Sequence, residues 1–264
     1  PDSLLPFSAA DRVVLAGDHK QLPPYASQRL SDSDMALSLF EFLLNRYGDE
    51  VAVQLRKQYR MHPDIASFPS QQYYDGKLTS AEQTTDRRID GLAPLEAIHV
   101  NGSESQAKGH SWRNTEEARV IATEVTKLLQ EEVSPSEIGV ITPYSGQIKA
   151  IRDALSGVDD DTRSIKIDTI DSFQGGEREA ILVSFVRSNP KGETGFLTHP
   201  VEGQRRLNVA LTRAKRRLVL VGDWETLCQQ DSRESDATDF RELRQWLESS
   251  GRLNAESHRI TQKQ

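Results

Sequence analysis

Two hydrophobic rhythms alternate along the chain. Short, mostly unbroken apolar runs occur at RVVLAGD (12–18), VAVQL (51–55), LEAIHV (95–100), EIGVITPY (137–144), SIKIDTI (164–170), AILVSFV (180–186) and RRLVLVGD (216–223). Their length and β-branched content predict strands. Between them lie segments with apolar residues three or four positions apart: 36–48, 63–74, 114–132, 145–157, 203–215 and 238–251. That spacing predicts helices, and local punctuation supports it. Gly48 stops the first helix, Pro63 opens the second, and Asn114 followed by Glu117 forms a capping box at the third. Residues 101–113 (NGSESQAKGHSWR) are polar and predict a loop. No internal repeat or low-complexity tract interrupts the alternation.

The strand runs are apolar throughout instead of every second residue, which predicts burial of both faces. An α/β fold with a mostly parallel sheet covered by helices on both sides meets that requirement. Ligands of such sheets sit beyond the carboxyl ends of the strands. Three groups of polar or aromatic residues follow predicted strands: Gly17 to Gln21, Thr142-Pro143-Tyr144, and Asp171 to Gly175.

Composition narrows the functional classes. A chain of 264 residues can bury a sizeable core. One cysteine, Cys228, excludes an intramolecular disulfide framework and fits a reducing, intracellular setting, either cytoplasmic or nuclear. The six histidines are scattered without ligand spacing, so no metal cluster is expected. The apolar runs fall far short of the roughly 20 residues of a membrane span, and no membrane partner is expected. The first residues, PDSLLPFSAAD, carry neither a basic segment nor an apolar signal core and read as an internal cut. A net charge of −7 argues against coating nucleic acid by bulk electrostatics, so any such binding is local. Basic islands at 205–207 and 215–217 contrast with the acidic run at 159–161, which reads as a solvated face. Neither G-x-x-x-x-G-K-[ST] nor G-x-G-x-x-G occurs, so the chain does not cradle a triphosphate in a P-loop of its own.

Five motifs stand in a telling order: GDHKQLPP (17–24), QYRMHP (58–63), GVITPYSGQ (139–147), DTIDSFQGGERE (168–179) and RRLNVALTRAKRRLVLVGD (205–223). This set resembles the later motifs of superfamily 1 helicases, in the up-frameshift group that includes the nonsense-mediated-decay helicase, senataxin and the Okazaki-fragment nuclease-helicase. The resemblance implies a RecA-like P-loop NTPase fold. It makes residues 1–50 the end of a first lobe, 51–250 a second lobe without its own P-loop, and 251–264 a polar tail. It further implies ATP and magnesium held mainly by the first lobe, single-stranded DNA or RNA as partner, and 5′ to 3′ stepping. The chain alone is then expected to be inactive. The rival reading is a non-catalytic module that binds single strands or a protein; a P-loop encoded immediately upstream would discriminate the two.

Individual residues acquire roles in the same way. Leu207, Ala210, Leu211 and Ala214 share one helical face, with Arg213 on one flank and Asn208 and Thr212 on the other. Arg213 is then either a cation near a helix C-terminus, worth about 0.3–1 kcal/mol, or a group aimed at phosphate. The resemblance implies the second, with Arg60 as a companion cation and Gln21 as the γ-phosphate sensor of the first lobe. It places Tyr59 near the nucleotide base, Glu177 on the ribose hydroxyls and Gly175 among the cofactor-binding residues, although Gly176 stands where many relatives carry a basic residue. Thr142, Pro143, Tyr144, Thr169, Ser172 and Asn208 are implied strand contacts, with Tyr144 offering a ring to a base. Met61 and His62 read as packing and structural hydrogen bonding.

Overall fold

Five of the seven apolar runs pair into one sheet, and two do not. The computed structural model describes residues 9–23, 38–106, 111–158, 160–229 and 236–254. The chain divides into two units, residues 1–55 and 56–264.

In the first unit, helix α1 (Leu39–Tyr47) begins where Ser38 Oγ accepts the Glu41 N–H and ends at Gly48, whose φ of 65° suits a residue without Cβ. Residues 36–37 of the expected helix lie outside the described residues. The runs at 12–18 and 51–55 do not form the expected strands. Residues 12–18 are irregular, Gly48–Val51 is a 3-10 turn, and Val14 and Val53 are 96% and 89% exposed. Among the described residues neither run has a ladder partner, and a strand forms only where its N–H and C=O groups are paired.

In the second unit the strands are β1 (Lys57–Gln58), β2 (Thr79–Ser80), β3 (Leu95–His99), β4 (Glu104–Gln106), β5 (Trp112–Asn114), β6 (Ile138–Thr142), β7 (Lys166–Thr169), β8 (Arg178–Ser184), β9 (Ala214–Gly222) and β10 (Leu253–Asn254). The helices are α2 (Pro63–Tyr73), α3 (Thr115–Gln130), α4 (Ser145–Leu155), α5 (Ile170–Phe173), α6 (Glu202–Leu211), α7 (Trp224–Cys228) and α8 (Thr238–Ser249). A six-stranded sheet runs in the order β10-β3-β9-β8-β6-β7, every pairing parallel. On one face Ile98, Val140, Leu182 and Val219 pack under Ile121, Val125 and Leu128 of α3 and Ile151 of α4. The alternate residues Ile141, Ile181, Val183, Leu218 and Leu220 are equally buried and point the other way, toward the side of α2, α6 and α8. The α/β lobe with a doubly covered parallel sheet is therefore present.

Three segments depart from the sequence reading. The loop at 101–113 contains the antiparallel pair β4–β5. The polar tail begins with β10, which adds to the sheet edge at Ala97 and Ile98; residues 255–264 lie outside the described residues. Helix α6 stops at Leu211 instead of Lys215, because Ala214 is already in register with Arg178 and the Arg178 N–H donates to the Arg213 carbonyl. Arg213 thus sits on the turn between helix and strand. No helix among the described residues is long and apolar enough to cross a membrane.

Candidate functional site

The QYRMHP segment is folded by its own glutamine. Gln58 Oε1 accepts the N–H groups of Arg60 and Met61, each at 2.8 Å, while its Nε2 donates to the Met61 carbonyl and to Ser80 Oγ. His62 then starts α2, accepting the Asp64 N–H at Nδ1 and donating its own N–H to the Lys215 carbonyl. Burial lowers the His62 pKa, which keeps that ring nitrogen free to accept. The Arg60 carbonyl is held from outside by Arg87 Nη1 at 2.7 Å. The turn therefore fixes the Arg60 backbone and leaves Tyr59 at the surface, 55% exposed, with Lys57 Nζ 6.0 Å from its ring centre.

The two arginines meet at Thr212. Arg60 Nη1 donates to the Thr212 carbonyl at 3.2 Å, and its Nε pairs with Glu177 Oε2 at 2.5 Å. Arg213 is 2% exposed. Its Nε donates to the Val209 carbonyl at 3.1 Å, Nη2 to Thr212 Oγ1 at 2.8 Å, and Nη1 to the Gly176 carbonyl at 3.5 Å. Glu177 also lies 3.4 Å from Lys215, which pairs in turn with Glu179. The hydrogen bond from Arg60, followed by the bond and charge of Lys215, holds the Glu177 carboxyl below its usual range, and Glu179 raises the Lys215 pKa. Because the Arg60–Glu177 pair is more than a third open to solvent, it is worth no more than about 0.2–1 kcal/mol. Arg60 can exchange that carboxylate for a stronger anion at little cost. Gly175 (φ 82°) and Gly176 bring the backbone around to this point, and a Cβ on Gly176 would lie 3.1 Å from the Phe173 carbonyl.

Gln21 belongs to the first unit. There its Nε2 donates to Asp18 Oδ2 at 2.7 Å, and its N–H to the Asp18 carbonyl. Gly17 approaches the Phe40 ring, where a Cβ would stand 3.1 Å from the nearest ring atom.

The residues expected to touch a strand divide into two groups. Thr169 and Ser172 lie at the surface beyond β7, where Thr169 caps α5 by accepting the Ser172 N–H. Thr142, Pro143, Tyr144 and Asn208 are buried. Thr142 Oγ1 has no hydrogen-bond partner among the described residues, and Asn208 Nδ2 donates to Tyr74 Oη. Tyr144, the ring expected to meet a base, is 7% exposed. Its hydroxyl donates to the Thr194 carbonyl and accepts from Arg187 Nη1, and burial raises its pKa. The neighbouring ring of Phe196 reaches solvent, 37% exposed, 5.0 Å from Tyr144 and faced by the Arg206 guanidinium at 5.0 Å.

What turns Tyr144 inward is a polar network that periodicity does not reveal. Val186 has a φ of 75°, a strained conformation for a β-branched residue. Its N–H donates to Glu117 Oε2 and its carbonyl accepts from Asn114 Nδ2. The bend sends Arg187 back onto Glu104 in a two-pronged pair at 2.8 and 3.1 Å, 4.8 Å above the Trp112 ring. Arg187 immediately follows the predicted strand AILVSFV, a position that could have marked it; the capping box marked Glu117 only as a cap.

Among the described residues no group of three or more acidic, histidine or cysteine side chains could hold a metal ion. Two guanidinium groups, an exposed ring and a displaceable carboxylate nonetheless suit the phosphates, base and ribose of a nucleotide.

The AAA domain family matches residues 35–225. The Regulator of nonsense transcripts 1 homolog of Neurospora crassa is 35% identical over 246 residues, spanning 88% of this chain and 22% of that protein. ATP-dependent helicase NAM7 of Saccharomyces cerevisiae is 36% identical, over 87% of this chain and 24% of its own length. DNA-binding protein SMUBP-2 of Rattus norvegicus is 35% identical, over 84% and 23%. The chain thus spans about a quarter of each of these relatives.

Proposed function

Since this chain belongs to the AAA domain family, in its superfamily 1 helicase branch, we propose that it carries the arginine-bearing second lobe of an ATP-dependent helicase. The observation that supports this most directly is the meeting of Arg60 and Arg213 on one residue, Thr212. Two cations fixed at one point can neutralise the charge that develops on a γ-phosphoryl group, a contribution of about 10³–10⁵ in rate for such an arginine. Tyr59 packs against the base. Glu177 releases Arg60 to the phosphates and turns to the ribose, beside Gly175. Gln21 senses the γ-phosphate from the first lobe, which also holds most of the magnesium and triphosphate.

A single strand of DNA or RNA is taken across the carboxyl ends of β6 and β7. Thr169 and Ser172 contact its backbone, and Phe196 takes the stacking role expected of Tyr144, worth about 1–3 kcal/mol per base. Loss of phosphate lets the lobes part, which steps the motor 5′ to 3′.

The test is ATP hydrolysis by the full-length protein, with and without single-stranded DNA and RNA. The wild type should be stimulated, and Arg213→Ala should abolish turnover while the protein still folds. Full stimulated turnover in that variant would remove the basis of the proposal. Strand binding by a wild type whose hydrolysis no strand stimulates would favour the non-catalytic module.

A further inference from the structure

We propose that Thr212 is a positioning residue that sets both arginines at once, an inference that rests on reading this lobe as the arginine-bearing half of a nucleotide site. Two different parts of Thr212 are engaged. Its backbone carbonyl accepts from Arg60 Nη1 at 3.2 Å, and its side-chain Oγ1 accepts from Arg213 Nη2 at 2.8 Å. The residue is 4% exposed, so water does not substitute readily for either bond.

The direction of the hydroxyl is also fixed. Oγ1 stands 2.7 Å from the Asn208 carbonyl and 3.4 Å from that of Val209, both in the last turn of α6. Each is an acceptor, so the single hydroxyl proton points into the helix end and the lone pairs face Arg213. The side chain therefore closes α6 and presents an acceptor to the guanidinium with one set of bonds.

A planar guanidinium is oriented by the points at which it is held. For Arg213 these include the Val209 carbonyl at Nε, the Gly176 carbonyl at Nη1 and Thr212 Oγ1 at Nη2. The contact to Gly176 is the longest of them, at 3.5 Å, so Oγ1 is the shorter anchor of the outer nitrogens. Removing it takes away the Nη2 acceptor and lets the outer end of the group shift within the longer Gly176 contact. A misplacement of about 1 Å can cost on the order of 10²-fold in rate.

Thr212→Val keeps the branched shape and deletes the acceptor; Thr212→Ser keeps the acceptor and deletes the methyl. In the full-length protein, Thr212→Val should lower kcat for strand-stimulated ATP hydrolysis by roughly 10- to 100-fold with little change in the KM for ATP. Thr212→Ser should restore kcat to within a few-fold of wild type.

Should Thr212→Val prove unable to fold, Thr212→Ala and the serine variant carry the same comparison. The proposal is overturned if Arg213→Ala is inactive while the valine or alanine variant retains wild-type kcat. It is overturned equally if serine fails to rescue. A wild type that does not hydrolyse ATP, or an Arg213→Ala variant that does so normally, removes the functional reading first and this inference with it.

Discussion

Replacing Glu117 by glutamine should erase a pH dependence of stability that this one carboxyl imposes. Glu117 is fully buried, and Ser184 Oγ, the Val186 N–H and Asn114 Nδ2 all donate to it. Burial outweighs those donors and pushes its pKa from the ordinary 4.5 up to about 8, with the nearby Asp223 adding to the rise. In the unfolded chain the same group ionises at its ordinary value. Between those two pH values the folded protein therefore holds a proton that the unfolded chain has released. Stability must fall as pH rises through this window, by about 1.36 kcal/mol per pH unit. The contribution is complete below about pH 4.5 and exhausted above about pH 8, where both states are ionised. Integrated across the window it amounts to something on the order of 5 kcal/mol, comparable with the net stability of a whole domain. Glu117→Gln keeps the size of the side chain and an acceptor for Ser184 and Val186 but cannot titrate. Urea unfolding of both proteins near pH 5, 6, 7 and 8 gives the wild-type minus variant difference, in which other titrating groups cancel. That difference should shrink by several kcal/mol across the series. A difference independent of pH would refute the reasoning, and would mean that the three donors keep Glu117 ionised inside the folded protein.

His62 should act with the opposite sign. Burial lowers its pKa, so the stability it contributes is present above about pH 6.5 and is lost as pH falls through the folded value; thermal melts from pH 7 to 5 should show a smaller loss for His62→Asn, which can cap α2 without titrating. In α6, a Cβ on Gly203 would lie 2.4 Å from the Leu197 carbonyl. The resulting strain, typically about 1–3 kcal/mol, should exceed the roughly 1 kcal/mol that alanine gains in a helix, so Gly203→Ala should lower the Tm; a raised Tm would contradict the packing described. Burial pushes the Cys228 thiol up to about 11. Only about 0.1% of it is thiolate near pH 8, and a disulfide reagent should label the native protein slowly, with full reactivity appearing only on unfolding; rapid native labelling would place Cys228 in a different environment.

The legible part of the fold was the part whose partners are dictated by burial. AILVSFV and RRLVLVGD read as strands because both faces are apolar, and both faces are indeed buried in β8 and β9. RVVLAGD and VAVQL looked the same, yet strand formation also needs a neighbour, and a single run does not reveal whether one is present. Leu207, Ala210 and Leu211 are buried as their helical spacing predicts, whereas Ala214 is buried as the first residue of β9. The same spacing carried α6 too far, because the bond from Arg178 that claims the Arg213 carbonyl comes from a distant residue. The surroundings of Tyr144 are hidden from spacing for a related reason. TPY after a strand announces a ring at the right end of the sheet, but its direction is set by Arg187, which is set by Glu104 and by the clamp of Asn114 and Glu117 on Val186.

The arginines show where periodicity stops and chemistry takes over. Arg60 and Glu177 are separated by 117 positions, and no spacing rule brings them together; only the resemblance of five motifs did. Some of the bonds around each arginine are nevertheless short-range: Gln58 holds the backbone of Arg60 two residues on, and Val209 and Thr212 hold Arg213 from four residues and one residue away. The Arg60 backbone is thus folded locally, while its guanidinium is held by Glu177 and the Thr212 carbonyl from distant motifs. A change to the Thr212 side chain should consequently disturb Arg213, whereas Arg60, held by the Thr212 backbone carbonyl, should keep its contact.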